Sequence, residues 1–340
     1  MTVVEAIEKI VGRRSLSERE ARSVMATIMD GEATSAQIAG FLIALRMKGE
    51  TSAELVGFAR EMRARVTPIE SGIPNLVDTC GTCGDLVKTF NLSTAAAIVA
   101  ASAGAPIAKH GNRAVTSICG SADVLEGLGV NINLSPEASG SLLKEIGIAF
   151  LFAPNFHPAM KHAGPPRREI RLRTVFNLLG PITNPAKASR QLVGVYAPNK
   201  TLQIAQVLNR LGCEKAVVSH GMIGLDEVAP VGPTLMAILE NGKIKTLTLH
   251  PEDFGINAPN LSDIAAGETV EENIVKLNRS LNDERSPEAS AVIPGAGVAL
   301  WLADLAEDFK LGASQAREAI KSGKAATKLE ELKKWSNKLA

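Results

Sequence analysis

Two polar clusters that each follow an apolar stretch hold the residues best suited to binding a charged ligand. Leu76-Val77 runs into the cluster Asp78 to Asp85, and Pro106-Ile107-Ala108 runs into the cluster Lys109 to Arg113. Glycine lets the backbone approach a ligand closely, and the unpaired N–H groups and dipole at a helix start favour an anion. The sequence therefore predicts a phosphorylated-sugar site within residues 78–121.

Three polar side chains at the start of a predicted helix strengthen this hypothesis. Asn91, Ser93 and Thr94 precede an Ala-rich segment. Each could be only a helix N-cap, but three such residues in four positions exceed what one helix needs. Lys109 could reach a phosphate as a point charge, although the common fate of lysine is a solvated surface position.

A pair of adjacent acids, Asp226-Glu227, follows a predicted strand that ends at Ser219. Mg²⁺ is a hard cation that takes one or two carboxylates together with phosphate oxygens and water. The pair is therefore a candidate magnesium site beside a phosphorylated substrate. Taken alone, it is equally consistent with a solvated acidic loop.

Cys80 and Cys83 form a Cys-x-x-Cys motif in the first cluster. A thioredoxin-like motif would lie in a small domain with a helix directly after it, and a zinc site would need a second pair. Because Cys119 and Cys213 are single and far apart, a redox or zinc role is disfavoured. His110 is interpreted as a hydrogen-bond donor or a structural histidine, since nothing in the pattern makes it a general base.

Short apolar runs alternate with helical patterns after residue 75, which predicts an α/β fold with a mostly parallel sheet covered by helices. The predicted strands are Leu76-Val77, Pro106–Ala108, Ala149–Phe152, Leu192–Tyr196, Ala216–Ser219, Thr234–Leu239 and Ile244–Leu249. The predicted helices include Thr94–Ala103, Ala122–Leu128, Pro136–Ile146 and Thr201–Leu211. Asn241-Gly242 is typical of a hairpin turn, so the sheet is expected to carry an antiparallel part. Ligands bind at the carboxyl ends of such strands, which is where both clusters lie.

A helical part precedes the sheet. Capping boxes are predicted at Ser17 with Glu20 and at Thr51 with Glu54, and apolar residues recur at helical spacing. We therefore predict a small helical domain at residues 1–67.

The α/β domain is predicted at residues 68–340. The strand pattern lapses between Phe156 and Pro185, and we expect about residues 165–190 to join the helical domain. The tail from residue 286 is helical and amphipathic, and we assign it to packing.

The composition excludes several classes of protein. Lys plus Arg is 37 and Asp plus Glu is 36, so the net charge of +1 argues against nucleic acid as the main partner. Aromatic residues make up only 4%, which also disfavours a base-stacking surface. The first ten residues do not have the pattern of a signal peptide, and no segment approaches the ~20 apolar residues of a membrane span. Sparse cysteine fits a reducing compartment, so we expect a cytoplasmic enzyme with no membrane partner.

Taken together, these motifs resemble the anthranilate phosphoribosyltransferase family over nearly the whole chain. The shared motifs are Gly-Thr-x-Gly-Asp at 81–85, Phe-Asn-x-Ser-Thr at 90–94, Lys-His-Gly-Asn-Arg at 109–113, Gly-Ser-Ala-Asp-Val-Leu-Glu at 120–126, His-Pro-Ala-Met-Lys at 157–161, Arg-Thr-Val-Phe-Asn-Leu-Leu-Gly-Pro at 173–181 and Gly-Leu-Asp-Glu at 224–227. Any one of them is weak evidence, whereas all of them in this order are highly specific. The pyrimidine nucleoside phosphorylases are more distant relatives that share the architecture.

The resemblance implies a small helical domain joined to a large α/β domain, an active site between them, and a homodimer built through the helical domains. It also implies a reaction in which the phosphoribosyl group of 5-phosphoribosyl 1-pyrophosphate (PRPP) is transferred to the amine of anthranilate. The products are N-(5-phosphoribosyl)anthranilate and pyrophosphate, and the step belongs to tryptophan biosynthesis.

The resemblance further implies which residues bind each ligand, and it implies no acid–base residue. PRPP is expected on Gly81, Gly84, Asp85, Thr89, Asn91, Ser93, Thr94, Lys109, Ser117 and Ser121. Anthranilate is expected on Gly81, Asn112 and Arg167, with His110 and Pro181 lining its site. Mg²⁺, expected as two ions per chain, is assigned to Ser93, Asp226 and Glu227.

The implied reaction can be checked against elementary chemistry. The amine of anthranilate is neutral and nucleophilic at pH 7, so the enzyme must chiefly hold two ligands in line and neutralise the leaving pyrophosphate. Mg²⁺ and Lys109 suit the second task, while the Arg167 fork and the Asn112 amide suit a flat carboxylate. The absence of an obvious acid–base pair fits this chemistry.

This chain departs from the family pattern at two places. Cys83 and Leu86 replace two glycines of the usual Gly-Thr-Gly-Gly-Asp-Gly loop, and either side chain could narrow the range of conformations that the loop adopts. Pro294-Gly295-Ala296 stands where the family often has Asn-Ala, and we expect no functional consequence.

Two other functions are open to this architecture. A nucleoside phosphorylase would use inorganic phosphate and a nucleoside, but Asp226-Glu227 and Arg167 weigh against it. A nucleic-acid-binding or regulatory relative would have kept the fold and lost the chemistry. The balanced charge weighs against that class, and a salt-dependent gel shift would test it.

Overall fold

The structure, a computed structural model, describes residues 1–82, 87–114 and 118–340. Three predicted ligand residues, Gly84, Asp85 and Ser117, lie outside these ranges. Cys83 and Leu86, the two departures from the family loop, lie outside them as well.

The N-terminal part is built from helices that each begin at a capping box. These helices are α1 Val3–Val11, α2 Glu18–Met29, α3 Ser35–Lys48 and α4 Ser52–Ala64. The caps are Thr2, Ser17, Thr34 and Thr51. Each cap side chain accepts the N–H three residues further on, and the Glu or Gln side chain at that position accepts the backbone N–H of the cap. Both predicted capping boxes are confirmed.

The α/β part is built on a mixed sheet. Its strands are β1 Val77–Gly81, β2 Ile107–Gly111, β3 Ile148–Phe152, β4 Arg190–Gly194, β5 Lys215–Gly221, β6 Thr234–Glu240 and β7 Lys243–Leu249. In the described residues the seven strands lie in the order β3-β2-β1-β4-β5-β6-β7. In this order the first five strands are parallel to one another, whereas β6 is antiparallel to β5 and β7 is antiparallel to β6. Asn241 and Gly242 join β6 to β7 with positive φ, so the predicted hairpin is confirmed.

Helices cover this sheet and form the C-terminal part. They are α5 Leu92–Ser102, α6 Ser121–Gly127, α7 Pro136–Ile146, α8 Ala153–Phe156, α9 Gly164–Ile170, α10 Val175–Leu179, α11 Asn199–Arg210, α12 Leu261–Ile264, α13 Val270–Asn282, α14 Pro287–Leu302, α15 Phe309–Lys321 and α16 Lys324–Lys338. Short 3-10 turns occur at Pro158–Lys161, Gly180–Ile182 and Pro251–Phe254. The predicted helices and the helical tail are confirmed. Among the described residues, none of the helices is both long enough and apolar enough to span a membrane.

Alternate residues of the central strands belong to two hydrophobic cores. Leu192 of β4 packs in a core with α5 and α14, whereas Val193 packs in a core with α4 and α11. Successive side chains of a strand point to opposite faces, so the N-terminal helices and α11 cover one face of the sheet. The predicted domain boundary at residue 67 stays a prediction, since these helices share a core with the strands.

The segment after β3 returns to the N-terminal helices. Buried apolar residues of residues 163–182, including Phe176 and Leu179, belong to the same core as Phe41 and Phe58. The segment predicted to join the helical domain was about residues 165–190, and its last residue, Arg190, is the first residue of β4. The segment therefore places α9 and α10 between the helical part and the carboxyl end of the sheet.

The strand order reverses between β1 and β4. From β1 the chain adds β2 and β3 on one side, and then crosses to place β4 on the other side. In open α/β sheets such a reversal leaves a crevice beyond the carboxyl ends of the strands, where ligands bind. Both polar clusters follow strands that end at this edge.

Candidate active site

The first turn of α5 holds polar groups that the chain itself does not satisfy. Asn91, at its N-cap, makes no side-chain capping bond, although its Nδ2 donates to the carbonyl oxygen of Cys119 at 3.1 Å. Its Oδ1 and the Oγ1 of Thr94 are buried and have no hydrogen-bond partner among the described residues. Buried polar groups are nearly always paired in proteins, so this turn has capacity for a polar ligand.

Lys109, in β2, is buried directly beside this turn. The residue is 4% exposed, and its Nζ donates to the carbonyl oxygen of Thr79 at 2.5 Å and to Oγ of Ser93 at 3.4 Å. No ion pair of Lys109 occurs within the part of the chain that the structure describes. The solvated-surface interpretation is therefore wrong, and a buried cation faces the start of a helix, where an anion is doubly favoured.

Asp226 lies against the carboxyl ends of β1 and β4. Its Oδ2 accepts a hydrogen bond from the hydroxyl of Thr82 at 3.4 Å, and a Cβ added at Gly81 would stand 3.0 Å from the same oxygen. A Cβ at Gly194 would overlap the carbonyl oxygen of Asp226, so glycine is required there. Asp226 is buried and Glu227 is half-buried, so the solvated-loop interpretation is wrong for Asp226.

Thr82 links three elements at this corner. Its N–H donates to the carbonyl oxygen of Gly194 at 3.0 Å, and its hydroxyl accepts the N–H of Tyr196 at 3.1 Å. Its carbonyl oxygen accepts Nδ2 of Asn177, in α10, at 3.3 Å. The side chain that orients Asp226 is thereby fixed to β4 and to the returning helices.

The magnesium residues predicted from the resemblance are all oxygen donors, which is the chemistry that Mg²⁺ takes. The structure ties Ser93 to Lys109 and Asp226 to Thr82. In residues 1–82, 87–114 and 118–340, no three His, Cys, Asp or Glu side chains cluster as a metal site. The set fits an ion that completes its shell with substrate oxygens and water.

Two buried, neutral imidazoles lie next to each other near the carboxyl end of β2. The rings of His110 and His157 lie 5.1 Å apart, and Nδ1 of His110 is 3.2 Å from the carbonyl oxygen of Gly180, directly before buried Pro181. Burial lowers the pKa of His110 to about 3, and the neighbouring His157 acts in the same direction. Burial lowers the pKa of His157 to about 4. Neither ring is a base near pH 7, which agrees with the sequence interpretation of His110.

A buried carboxyl lies next to the backbone of His110. Asp78 accepts the N–H of His110 at 3.0 Å and is fully buried in β1. Burial raises the pKa of Asp78 to about 6, against the hydrogen bonds and the Lys109 charge, which lower it. Asp78 therefore helps to set the position of His110.

Arg167, at the end of α9, lies over an aromatic ring. Its guanidinium carbon is 4.9 Å from the centroid of Phe176, which is buried in α10. The cation–π contact holds the half-buried guanidinium against this ring. A planar fork fixed in this way is suited to a carboxylate.

Asn112 and Ser121 lie next to each other, beyond the end of β2. The hydroxyl of Ser121 donates to the carbonyl oxygen of Asn112 at 3.3 Å, and the N–H of Ala122 donates to the same oxygen at 3.2 Å. A Cβ at Gly111 would overlap Oγ of Ser121. Asn112, predicted to bind anthranilate, and Ser121, predicted to bind PRPP, are therefore in contact.

Thr89, which is predicted to bind PRPP, pairs with a part of the chain distant from the other predicted PRPP residues. It forms an isolated antiparallel bridge with Ala265, beside α12. The adjacent N–H of Phe90 donates to the carbonyl oxygen of Ile264 at 3.2 Å. This bridge fixes the approach of the chain to α5.

The sequence reasoning assigned no role to four residues that organise the site: Asp78, Thr82, His157 and Asn177. All four stand in stretches that the sequence analysis had singled out. Their motifs marked these residues as candidates. Their hydrogen-bond and ring partners are distant in sequence, however, and no local pattern reveals those partners.

Comparison with known proteins matches this chain to one glycosyl transferase family. The helical bundle domain of a glycosyl transferase family matches residues 4–66, and the a/b domain of that family matches residues 73–326. The anthranilate phosphoribosyltransferase of Moorella thermoacetica is 51% identical over 97% of this chain and 97% of its own length.

Solved structures agree with the sequence comparison. The anthranilate phosphoribosyltransferase of Thermus thermophilus is 40% identical, with a TM-score of 0.90 over 98% of this chain and 99% of its own. The enzyme of the same name from Saccharomyces cerevisiae, in complex with PRPP and Mg, is 26% identical, with a TM-score of 0.88 over 99% of this chain and 98% of its own.

Proposed function

The chain belongs to the anthranilate phosphoribosyltransferase family, and we propose that the crevice between β1 and β4 is where it joins PRPP to anthranilate. The reaction transfers the phosphoribosyl group to the amine of anthranilate and releases pyrophosphate, within tryptophan biosynthesis. The observation that carries the proposed location is the buried Lys109 ammonium, which faces the first turn of α5.

The donor phosphates bind at that turn. Lys109 supplies the positive charge, and the unsatisfied oxygens of Asn91 and Thr94 supply partners for the ribose or for water bound to it. Ser93, Thr89, Gly81 and Ser121 complete the described part of this side. Gly84, Asp85 and Ser117, which the family pattern adds, lie outside the described residues.

Magnesium binds at the Asp226 corner. Ser93, Asp226 and Glu227 would hold it, and we propose two ions per chain, the number that the family resemblance implies. When bound, Mg²⁺ neutralises charge on the pyrophosphate as it leaves. Thr82 and Gly194 keep the Asp226 carboxylate at this edge of the sheet.

Anthranilate binds between the returning helices and the end of β2. Arg167 and Asn112 hold its carboxylate, and the wall of His110 and Pro181 packs against its ring. Gly81 leaves room at the junction with the donor.

The mechanism follows from holding the two ligands in line. The lone pair of the neutral amine forms a bond to C1 of the ribose while the bond from C1 to the pyrophosphate oxygen breaks. The nitrogen then loses a proton to solvent. Lys109 stabilises the departing negative charge from a fixed, buried position, and none of His110, His157 or Asp78 needs to change protonation.

The helical part also carries an apolar surface that we assign to a homodimer contact. Val4 and Val11, seven residues apart on α1, are 47% and 68% exposed, and Met47 on α3 is 69% exposed. Residues spaced by seven lie on one face of a helix. A second copy of this chain covers that face in the proposed dimer.

The test is turnover with two substrate pairs. Anthranilate with PRPP and Mg²⁺ should give a product with the mass of phosphoribosyl anthranilate and one pyrophosphate per product. A nucleoside with inorganic phosphate should give no released base. The reverse outcome would assign the site to a nucleoside phosphorylase.

A further inference from the structure

The carboxylate of Asp123, in α6, links residues 112–114 to residues 118–120, the described stretches that carry Asn112 and lead to Ser121. Oδ2 of Asp123 accepts the N–H of Gly120 at 2.9 Å and also the N–H of Ala114 at 2.9 Å. Its Oδ1 accepts NH1 of Arg113 at 3.1 Å. An acid at the third helical position commonly reaches back to the N-cap N–H alone. Here the same oxygen also reaches a residue nine positions earlier.

The backbone is built to allow this closure. A Cβ at Gly120 would overlap the backbone N of Ala114 and would stand 2.8 Å from the carbonyl oxygen of Asn112. The two stretches therefore cross in contact, and only glycine fits at the crossing. Burial by itself raises the pKa of Asp123, but the N–H groups of Ala114 and Gly120 and then Arg113 lower it below its ordinary value. The carboxylate is thus charged near neutral pH.

The two linked stretches, residues 112–114 and residues 118–120, contact both sides of the proposed site. The carbonyl oxygen of Asn112 receives the Ser121 hydroxyl and the Ala122 N–H, and that of Cys119 receives the amide of Asn91 at the start of α5. Asn112, Ser121 and Asn91, which are assigned to the substrates, are therefore all hydrogen-bonded to these stretches or part of them. Both oxygens of Asp123 are occupied by donors of the chain itself.

We propose that Asp123 is a positioning residue for the transfer reaction, which fixes Asn112, Ser121 and Asn91 for substrate binding by closing residues 112–114 onto residues 118–120. It contacts no substrate and acts through these three residues. The proposal rests on the proposed function for the identity of the ligands.

The test is the variant Asp123→Asn, which has the same shape but one acceptor oxygen and no charge. We expect KM for PRPP to rise about tenfold or more, because the bonds from the two N–H groups lose their charge assistance and the amide NH2 that replaces Oδ1 cannot accept from Arg113. KM for anthranilate should rise less, since only Asn112 contacts that side, and kcat should change by less than about threefold. Calorimetric binding of PRPP with Mg²⁺ to the same variant should weaken in parallel.

The matched control is Glu126→Gln. Glu126 is the other carboxylate on α6 that pairs with Arg113, at 2.8 Å, and it is exposed and accepts no backbone N–H in the described residues. Both KM values should stay within about twofold of the parent. Asp123→Glu keeps the charge and should recover part of the loss.

Gly120→Ala gives an independent perturbation, since its Cβ forces the crossing open while Asp123 is unchanged. It should reproduce the rise in KM, and it decides the matter if Asp123→Asn does not fold. Parent-like KM values in both variants would overturn the proposal, as would losses that only follow a fall in melting temperature. A parent protein that binds PRPP but does not transfer it to anthranilate would instead contradict the proposed function.

Discussion

The hydroxyl of Thr82 lies 3.4 Å from Oδ2 of Asp226, so a side chain just beyond β1 orients an acid 144 residues further along the chain. The same hydroxyl accepts the N–H of Tyr196, which fixes its direction. The relationship joins the strand order of the fold to the proposed magnesium site, because Thr82 can reach Asp226 only where β1 and β4 are neighbours.

Replacing Thr82 by Val should raise the Mg²⁺ concentration for half-maximal turnover by about two- to tenfold. A lost neutral hydrogen bond is worth roughly 0.5–1.5 kcal/mol, which corresponds to that range. Thr82→Ser keeps the hydroxyl and is the control, with an expected change below about twofold. Equal effects of the two variants would show that Thr82 serves packing alone.

Turnover should depend strictly on a divalent cation, because the leaving pyrophosphate is placed beside Asp226 and Glu227. Excess chelator should abolish product formation, and added Mg²⁺ should restore it. Undiminished turnover in excess chelator would remove the metal from the account.

Replacing Arg167 by Ala should raise KM for anthranilate far more than KM for PRPP. A bidentate charge-assisted pair is worth roughly 1.5–3 kcal/mol, or about ten- to a hundredfold. Arg168→Ala is the control, since this neighbour on α9 is exposed and should alter neither KM. Equal effects on both substrates would show that Arg167 is a structural residue between the helices.

Acid should destabilise the protein partly through His110 and His157. Their folded pKa values, about 3 and about 4, lie below the unfolded value of 6.5. The unfolded chain therefore binds more protons as pH falls through 6.5, and the free energy of unfolding decreases. Asp78, raised from 3.8 to about 6, binds its proton first in the folded chain and opposes this trend between those values.

Denaturant titrations of His157→Gln would measure this contribution. Between pH 6 and pH 4.5 the variant should lose stability less steeply than the parent, by up to about 1.4 kcal/mol per pH unit. Above pH 7.5 the difference between the two proteins should be constant. Identical slopes in the acid range would contradict the assignment of a buried, neutral His157.

Cys80 and Cys83 are predicted to be neither a redox pair nor a metal site. Cys83→Gly restores the usual loop residue and should keep or improve activity, and Cys80→Ser should cost little beyond packing. Cys83 lies outside the described residues, so this prediction stands on the sequence. Stoichiometric zinc, or activity that switches reversibly with thiol oxidation and is abolished in either variant, would contradict it.

Local patterns were sufficient to place every strand of the described sheet and both predicted capping boxes, because alternation and capping act over a few residues. Strand ends were less accurate. The apolar run Leu76-Val77 marked only the start of β1, which continues through Thr79 and Cys80 to Gly81 because backbone pairing with β4 does not need apolar side chains.

Long-range features could not be predicted from such patterns. The sequence indicated a mostly parallel sheet but not that β4 crosses to the far side of β1, which decides where the crevice lies. The sequence left Lys109 open between a phosphate-binding cation and a solvated surface lysine, and only tertiary packing shows that it is buried. The partners of Thr82 and Asp78 became visible only in the folded chain.

The most direct test of the account is a crystal structure of the protein with PRPP, Mg²⁺ and an unreactive anthranilate analogue. We predict PRPP phosphates at the first turn of α5 beside Lys109, metal at Asp226, and the analogue's carboxylate on Arg167 and Asn112. We further predict C1 of the ribose within about 3.5 Å of the position of the amine. PRPP bound away from Lys109, or an analogue bound away from Arg167, would contradict the account.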